Sequence, residues 1–246
     1  MILSRIATAL RQQNWAAVAI EFVIVIAGVV IGFQITEWRG EQANRENELT
    51  YLVRLHEDMV QSTCALQRNA NVSSGWHTRA RRTLDALLAN DPEAIDDTGF
   101  ELIASTRIRT SSLSRATLNE LVNGGQMNLI SDNELRARIA EAEARFNSLD
   151  ELIQVLVDAQ DSFVRDVQLR LRPVPGEVYT ITYDFDALAN DETFINALGH
   201  ALRITHVNNV WLENLGEAAD ALRIEVAAAI GEDTGPLDCG LPEPTP

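Results

Sequence analysis

Four histidines and a complete lack of lysine bound the chemistry open to this 246-residue chain. His56, His77, His200 and His206 are the side chains suited to proton exchange near neutral pH or to holding a transition metal. Their spacing does not gather them. His56 and His77 lie far apart, and His200 and His206, six positions apart, fall on different faces of one helix. A zinc site would need them joined across helices by carboxylates such as Glu57 or Asp58, and no ligand spacing points to one. They read as helix-surface or core histidines, and no metal is expected.

Without lysine there is no ammonium to serve as nucleophile, base or phosphate ligand, and neither Gly-x-Ser-x-Gly nor a Gly-rich phosphate loop occurs. Adjacent carboxylates occur at Glu57-Asp58, Asp96-Asp97 and Glu232-Asp233, but in a chain with 36 acidic residues such pairs read as solvated surface. The expectation is a non-enzymatic protein with no catalytic residues and no cofactor. Three polar residues converging in a pocket would revive an enzyme reading. The net charge of −16 argues against nucleic acid as a partner, and Arg79, Arg81 and Arg82 form the sole basic cluster.

One polar segment admits a recognition role. Asn119, Glu120, Asn123, Gln126 and Asn128 surround Gly124-Gly125 at the junction of two expected helices. They form either a recognition corner or an Asn/Gly-rich turn whose amides cap neighbouring helix ends. Trp76 and Trp211 read as packing residues rather than a ligand cage.

The element that must position all of this is a membrane-scale segment. Residues 16–35, AAVAIEFVIVIAGVVIGFQI, are apolar almost without interruption and are bracketed by Trp15 and Trp38. About 20 apolar residues span the roughly 30 Å of a bilayer's hydrocarbon, and tryptophan is at home at its two interfaces. A cleaved signal peptide is the competing reading, with Arg5 and Arg11 as its positive leader. The apolar core is longer than a signal's, however, and bulky Ile35-Thr36-Glu37-Trp38 follows it instead of a small-x-small cleavage site.

Within the anchor, Glu21, Val25, Gly28, Gly32 and Ile35 recur at helical spacing along one face. Gly28-x-x-x-Gly32 lets another backbone approach closely, beneath a carboxylate that is costly to leave facing lipid. This face is expected to meet a second copy of the chain or another membrane protein. The alternative is that Glu21 reaches back to water and the glycines are merely tolerated.

Beyond Trp38, helical periodicity predicts one helix continuing to about Ser73, a break or kink at Ser73-Ser74-Gly75, and a further helix to Leu88 that Asn90-Asp91-Pro92 ends. Phe100, Leu102 and Ile103 suit a short helix before a Ser/Thr-rich connector, and Thr117 with Glu120 has capping-box spacing. Ser131 or Asp132 N-caps a long helix from Asn133 to about Leu171, striped by Leu135, Ile139, Phe146, Ile153 and Val167. Pro173 and Pro175 follow, and Val178 to Tyr183 is strand-like but too solitary to imply a sheet. A final helix runs from Asp191 or Glu192 to Ile230. The fold class is therefore all-α, one transmembrane helix continuing into a long-helix bundle of about four helices. Residues 1–15 form a short cytoplasmic leader, 16–36 the anchor, 37–231 the bundle and 232–246 a Gly/Pro-rich tail.

Flanking arginines nearly balance across the anchor, so orientation is read from the two cysteines. A bond between Cys64 and Cys239 would tie down the tail and persist outside the reducing cytosol; two unrelated free thiols are the alternative. This favours a cytoplasmic N-terminus and a periplasmic body.

Val29, Ile31, Gly32, Gln34 and Trp38 in the anchor, Glu48, Leu52, Leu55 and Asp58 after it, and Leu118, Glu120, Leu121, Gly125, Leu129, Ile130 and Leu135 further on carry a resemblance. Over roughly its first 145 residues the chain resembles a family of uncharacterised bacterial single-pass membrane proteins that share a domain of unknown function. The resemblance implies an inner-membrane anchor with a helical exterior domain and brings no catalytic residues. Two functions are carried forward: an anchored interaction or scaffold component of the cell envelope, and an extracytoplasmic sensory or small-ligand-binding bundle that signals through a partner.

Overall fold

A computed structural model describes residues 15–95, 100–110, 113–177 and 180–240. Arg5 and Arg11, Asp96 and Asp97, and Val178 and Tyr179 fall outside the described residues. The architecture is all-α: a long N-terminal hydrophobic helix followed by a bundle of about four major helices. Helix α1 covers Trp15–Ala89, α2 Phe100–Ser105, α3 Ala116–Val122, α4 Asn133–Gln168, α5 Phe185–Ala189 and α6 Glu192–Ile230. Two short strands, β1 at Arg172–Pro173 and β2 at Ile181–Thr182, pair antiparallel, so Ile181 and Thr182 of the expected solitary strand do find a partner.

The chain divides into two compact units, residues up to 49 and residues from 50 onward. In the first, every residue from Val18 to Asn47 is exposed on a regular helix. An 18-residue window here reaches a mean hydropathy of 2.5, none of it covered by the rest of the chain.

In the second unit, the later part of α1 packs with α4 and α6. One apolar cluster joins Leu55, Met59 and Leu66 of α1, Leu118 and Leu121 of α3, Ile139 and Phe146 of α4, and Leu212, Leu215 and Leu222 of α6. Another joins Ala80, Leu84 and Leu87 of α1, Leu102 of α2, Val167 of α4, and Phe194, Leu198 and Leu202 of α6. On each long helix a buried polar residue falls between the two clusters: Ser73 on α1, Gln160 on α4, and Thr205, Asn208 and Asn209 on α6. The core is therefore two apolar compartments separated by a polar belt.

No break occurs at Ser73-Ser74-Gly75, and α1 passes through it as continuous helix. Two serines and a glycine weaken a helix by only about 1–2 kcal/mol in total. Buried clusters on both sides of the segment outweigh that sum, and Thr78 donates its hydroxyl to the Ser74 carbonyl. The helix ends where expected: Asn90 adopts φ 54°, with its N–H on the Leu87 carbonyl and that of Asp91 on Ala86, a left-handed cap.

Helix α6 starts with Asp191 accepting from the Phe194 N–H and stops at Gly231, at φ 79°. Asp132 caps α4 through the N–H groups of Glu134 and Leu135. The Thr117–Glu120 capping box, by contrast, is not formed. The Thr117 N–H instead binds the Asp58 carboxylate on α1, and Glu120 pairs with Arg54.

Candidate functional site

Among the described residues, three groups of polar side chains tie loops of the body to its long helices. In the first, α1 holds the connector that leads into α3. Asp58 accepts from the Ser114 hydroxyl at 2.7 Å through one oxygen and from the Thr117 N–H at 3.1 Å through the other. One helical turn on, Ser62 accepts from the Ser114 N–H at 2.8 Å. Arg115 extends the network to α4, with Glu143 at 2.7 Å and Asp150 at 3.0 Å. Arg54 forks onto both oxygens of Glu120 at 2.9 and 3.1 Å, which lowers the Glu120 pKa and raises that of Arg54. Asp58, Ser62, Glu120, Glu143 and Asp150 are each engaged in holding the connector or α3.

The second group is the belt. Asn208 binds both backbone groups of Arg109, accepting from its N–H at 3.1 Å and donating to its carbonyl at 3.2 Å. Gln160 donates to the Thr106 carbonyl. The Arg109 guanidinium lies 4.5 Å from the centre of the Trp76 ring and donates to Asn69 at 3.3 Å, and burial lowers its pKa. Trp76 is thus an inter-element packing residue.

The third group ties the tail. Cys64 and Cys239 form a disulfide with their Cα atoms 5.2 Å apart. Arg223, 1% exposed, bonds Asp220 at 2.6 Å and donates to the carbonyls of Asp233 and Gly235 at 3.3 and 2.9 Å. Residues 232–240 are therefore bound to the body through two helices.

The residues singled out in the sequence are distributed as follows. Glu21, Val25, Gly28 and Gly32 are all exposed on α1, and no heavy atom of another part of the chain lies within 4 Å of a Cβ added at either glycine. Trp38 is 65% exposed, and Trp15 is the first residue of the helix. In the polar corner, Asn123 donates to Asn119 and Gln126 to the Gly124 carbonyl, both at 3.4 Å, while Gly125 takes φ 71°. Asn128 is exposed in the 3-10 turn Gln126–Leu129. The corner's amides thus bond mainly within their own turn.

Among the histidines, the structure brings together a pair that spacing alone did not suggest. His77 of α1 and His206 of α6 have ring centres 5.6 Å apart. Burial lowers the His77 pKa, with further depression from His206 and Arg81. His200 stacks on Phe163 of α4 at 5.0 Å. No group of three or more His, Cys, Asp or Glu side chains able to hold a metal occurs among the described residues.

Comparison with family models, with curated proteins and with solved structures returns no match for this chain.

Proposed function

We propose that this protein is a non-enzymatic, single-pass membrane protein of a bacterial envelope whose anchor pairs with a second membrane helix, first of all its own copy, and whose disulfide-tied bundle works on the periplasmic side. The observation that carries the reading is the uncovered apolar surface of the first unit. Twelve large hydrophobic side chains from Val18 to Ile35 are exposed, among them Phe22 at 65% and Phe33 at 73%. Leaving them in water would forfeit on the order of 20 kcal/mol, more than the whole stability of an ordinary domain. Lipid removes that penalty, and a resident helix accounts for the length of the segment better than a signal does.

Gly28 and Gly32 support a helix–helix contact because both are open for close backbone approach. The Cys64–Cys239 bond supports an oxidising compartment for the body. The resemblance noted in the anchor and first external helix points to the same inner-membrane layout. A non-enzymatic role is supported by the use of Asp58, Ser62, Ser114, Glu120 and Glu143 as structural ties.

Full-length protein in mild detergent is expected to run as a defined oligomer by light scattering, and Gly28→Leu is expected to shift it toward monomer. A strictly monomeric wild-type chain overturns the self-association. A periplasm-dependent reporter fused after residue 240 is expected to be active, and an active cytoplasmic reporter there reverses the orientation.

A further inference from the structure

We propose that the cleft between α1 and α6 lined by His77, Arg81, Arg203 and His206 is a binding site for a small oxyanion, a phosphate or carboxylate borne by a free solute or by a lipid headgroup. This goes beyond the anchored-interaction reading and does not depend on it. The cleft has a volume of about 370 Å³, and Gly199 and Leu202 complete its lining. No carboxylate is among the described residues that line it, although acidic residues outnumber arginines 36 to 20 in the chain. Two arginines and two histidines gathered here, with Asp85 bonded to Arg81 at the edge, run against the field of the whole molecule.

The arrangement follows from helical spacing. His77 and Arg81 are i,i+4 on α1, while Gly199, Arg203 and His206 recur at intervals of four and three on α6, so each helix presents one stripe. Arg81 bonds the exposed Asp85 through Nε at 3.1 Å, which leaves its two terminal nitrogens for a ligand. The Arg203 guanidinium meets the His200 Nδ1 at 3.2 Å through Nη2 alone. The His77 Nδ1 lies 3.4 Å from the Thr205 hydroxyl, whose own proton goes to the carbonyls of Ala201 and Leu202. That hydroxyl therefore accepts from Nδ1–H, and Nε2 donates to an oxyanion only when His77 carries both ring protons.

Arg81 and Arg203 carry positive charge here, protonation of His77 adds to it against the repulsion of Arg81, and an anion offsets that repulsion. The guanidinium fork matches the two oxygens of a phosphate or carboxylate. A metal ion suits the site less well, because two arginines face it and it offers only two ligands.

The test is calorimetric titration of inorganic phosphate into the full chain in phosphatidylcholine nanodiscs. Saturable one-site binding is expected, at least tenfold weaker in Arg81→Gln and in Arg203→Gln and unchanged in Arg138→Gln, whose arginine sits on α4 between Glu134 and Glu141. Discs containing phosphatidylglycerol separate the sources: suppressed phosphate binding assigns the cleft to a headgroup, and undiminished binding to a free solute. His77 ring resonances of the wild-type chain, which need no variant to fold, are expected to move on phosphate addition. No saturable binding in phosphatidylcholine discs, equal binding by an Arg81→Gln/Arg203→Gln chain, or zinc binding that displaces phosphate overturns the proposal.

Discussion

Asn208 does for the connector at Arg109 what a neighbouring strand does in a sheet, meeting its N–H and carbonyl at once. Asn208→Ala leaves both groups without this partner beside a fully buried site, and a loss of about 2–4 kcal/mol in urea-induced unfolding is expected. A change within about 0.5 kcal/mol would show that water replaces the amide. His77 carries the clearest pH signature. Its pKa is lowered in the folded state, so between the ordinary value of 6.5 and the depressed one the unfolded chain binds the extra proton. The stabilisation is fully present above pH 6.5 and declines as pH falls through that value. Glu120 and Asp191 are also depressed, by Arg54 and Arg170 respectively, and continue the decline below their ordinary values of 4.5 and 3.8. Thermal melts are expected to fall on acidification from about pH 8 to pH 5, with His77→Gln flattening the portion near 6.5. A wild-type melt that is constant over that range contradicts the assignment.

At the scale of elements, the tail is expected to be the part most sensitive to reduction. The disulfide closes a separation of 175 residues, and Cys239→Ser is expected to reduce stability by about 2–5 kcal/mol. Arg223→Met, which removes the donors to Asp233 and Gly235, is expected to raise amide exchange over residues 232–240 while α6 stays protected. Protection unchanged in that segment would show that the disulfide alone holds it. These elements differ in how far the sequence disclosed them. Helix α6 was legible to its ends because Asp191 and Gly231 are local cap signals that act on adjacent backbone. At Ser73 the helix stays unbroken because packing by residues up to 150 positions away outweighs local propensity. The Thr117–Glu120 box failed for the same reason, since Asp58 and Arg54 reach both residues from another helix. The basic cleft was invisible in spacing: Arg81 was noted only beside Arg79 and Arg82, and its partners Arg203 and His206 lie more than 100 positions downstream.

For the whole molecule, charge and hydropathy are divided between the two units. One holds an uncovered apolar stretch of α1, and the other carries most of the 36 acidic residues. Self-repulsion at net charge −16 opposes compaction, so added salt is expected to raise the melting temperature of the full chain. The Cys64–Cys239 bond has a further consequence for how the chain is made. At about 5–20 residues per second, the first of these thiols leaves the ribosome roughly 10–35 s before its mate. For that interval every nascent copy carries one unmatched sulfhydryl, and a copy that ends short of residue 239 keeps it.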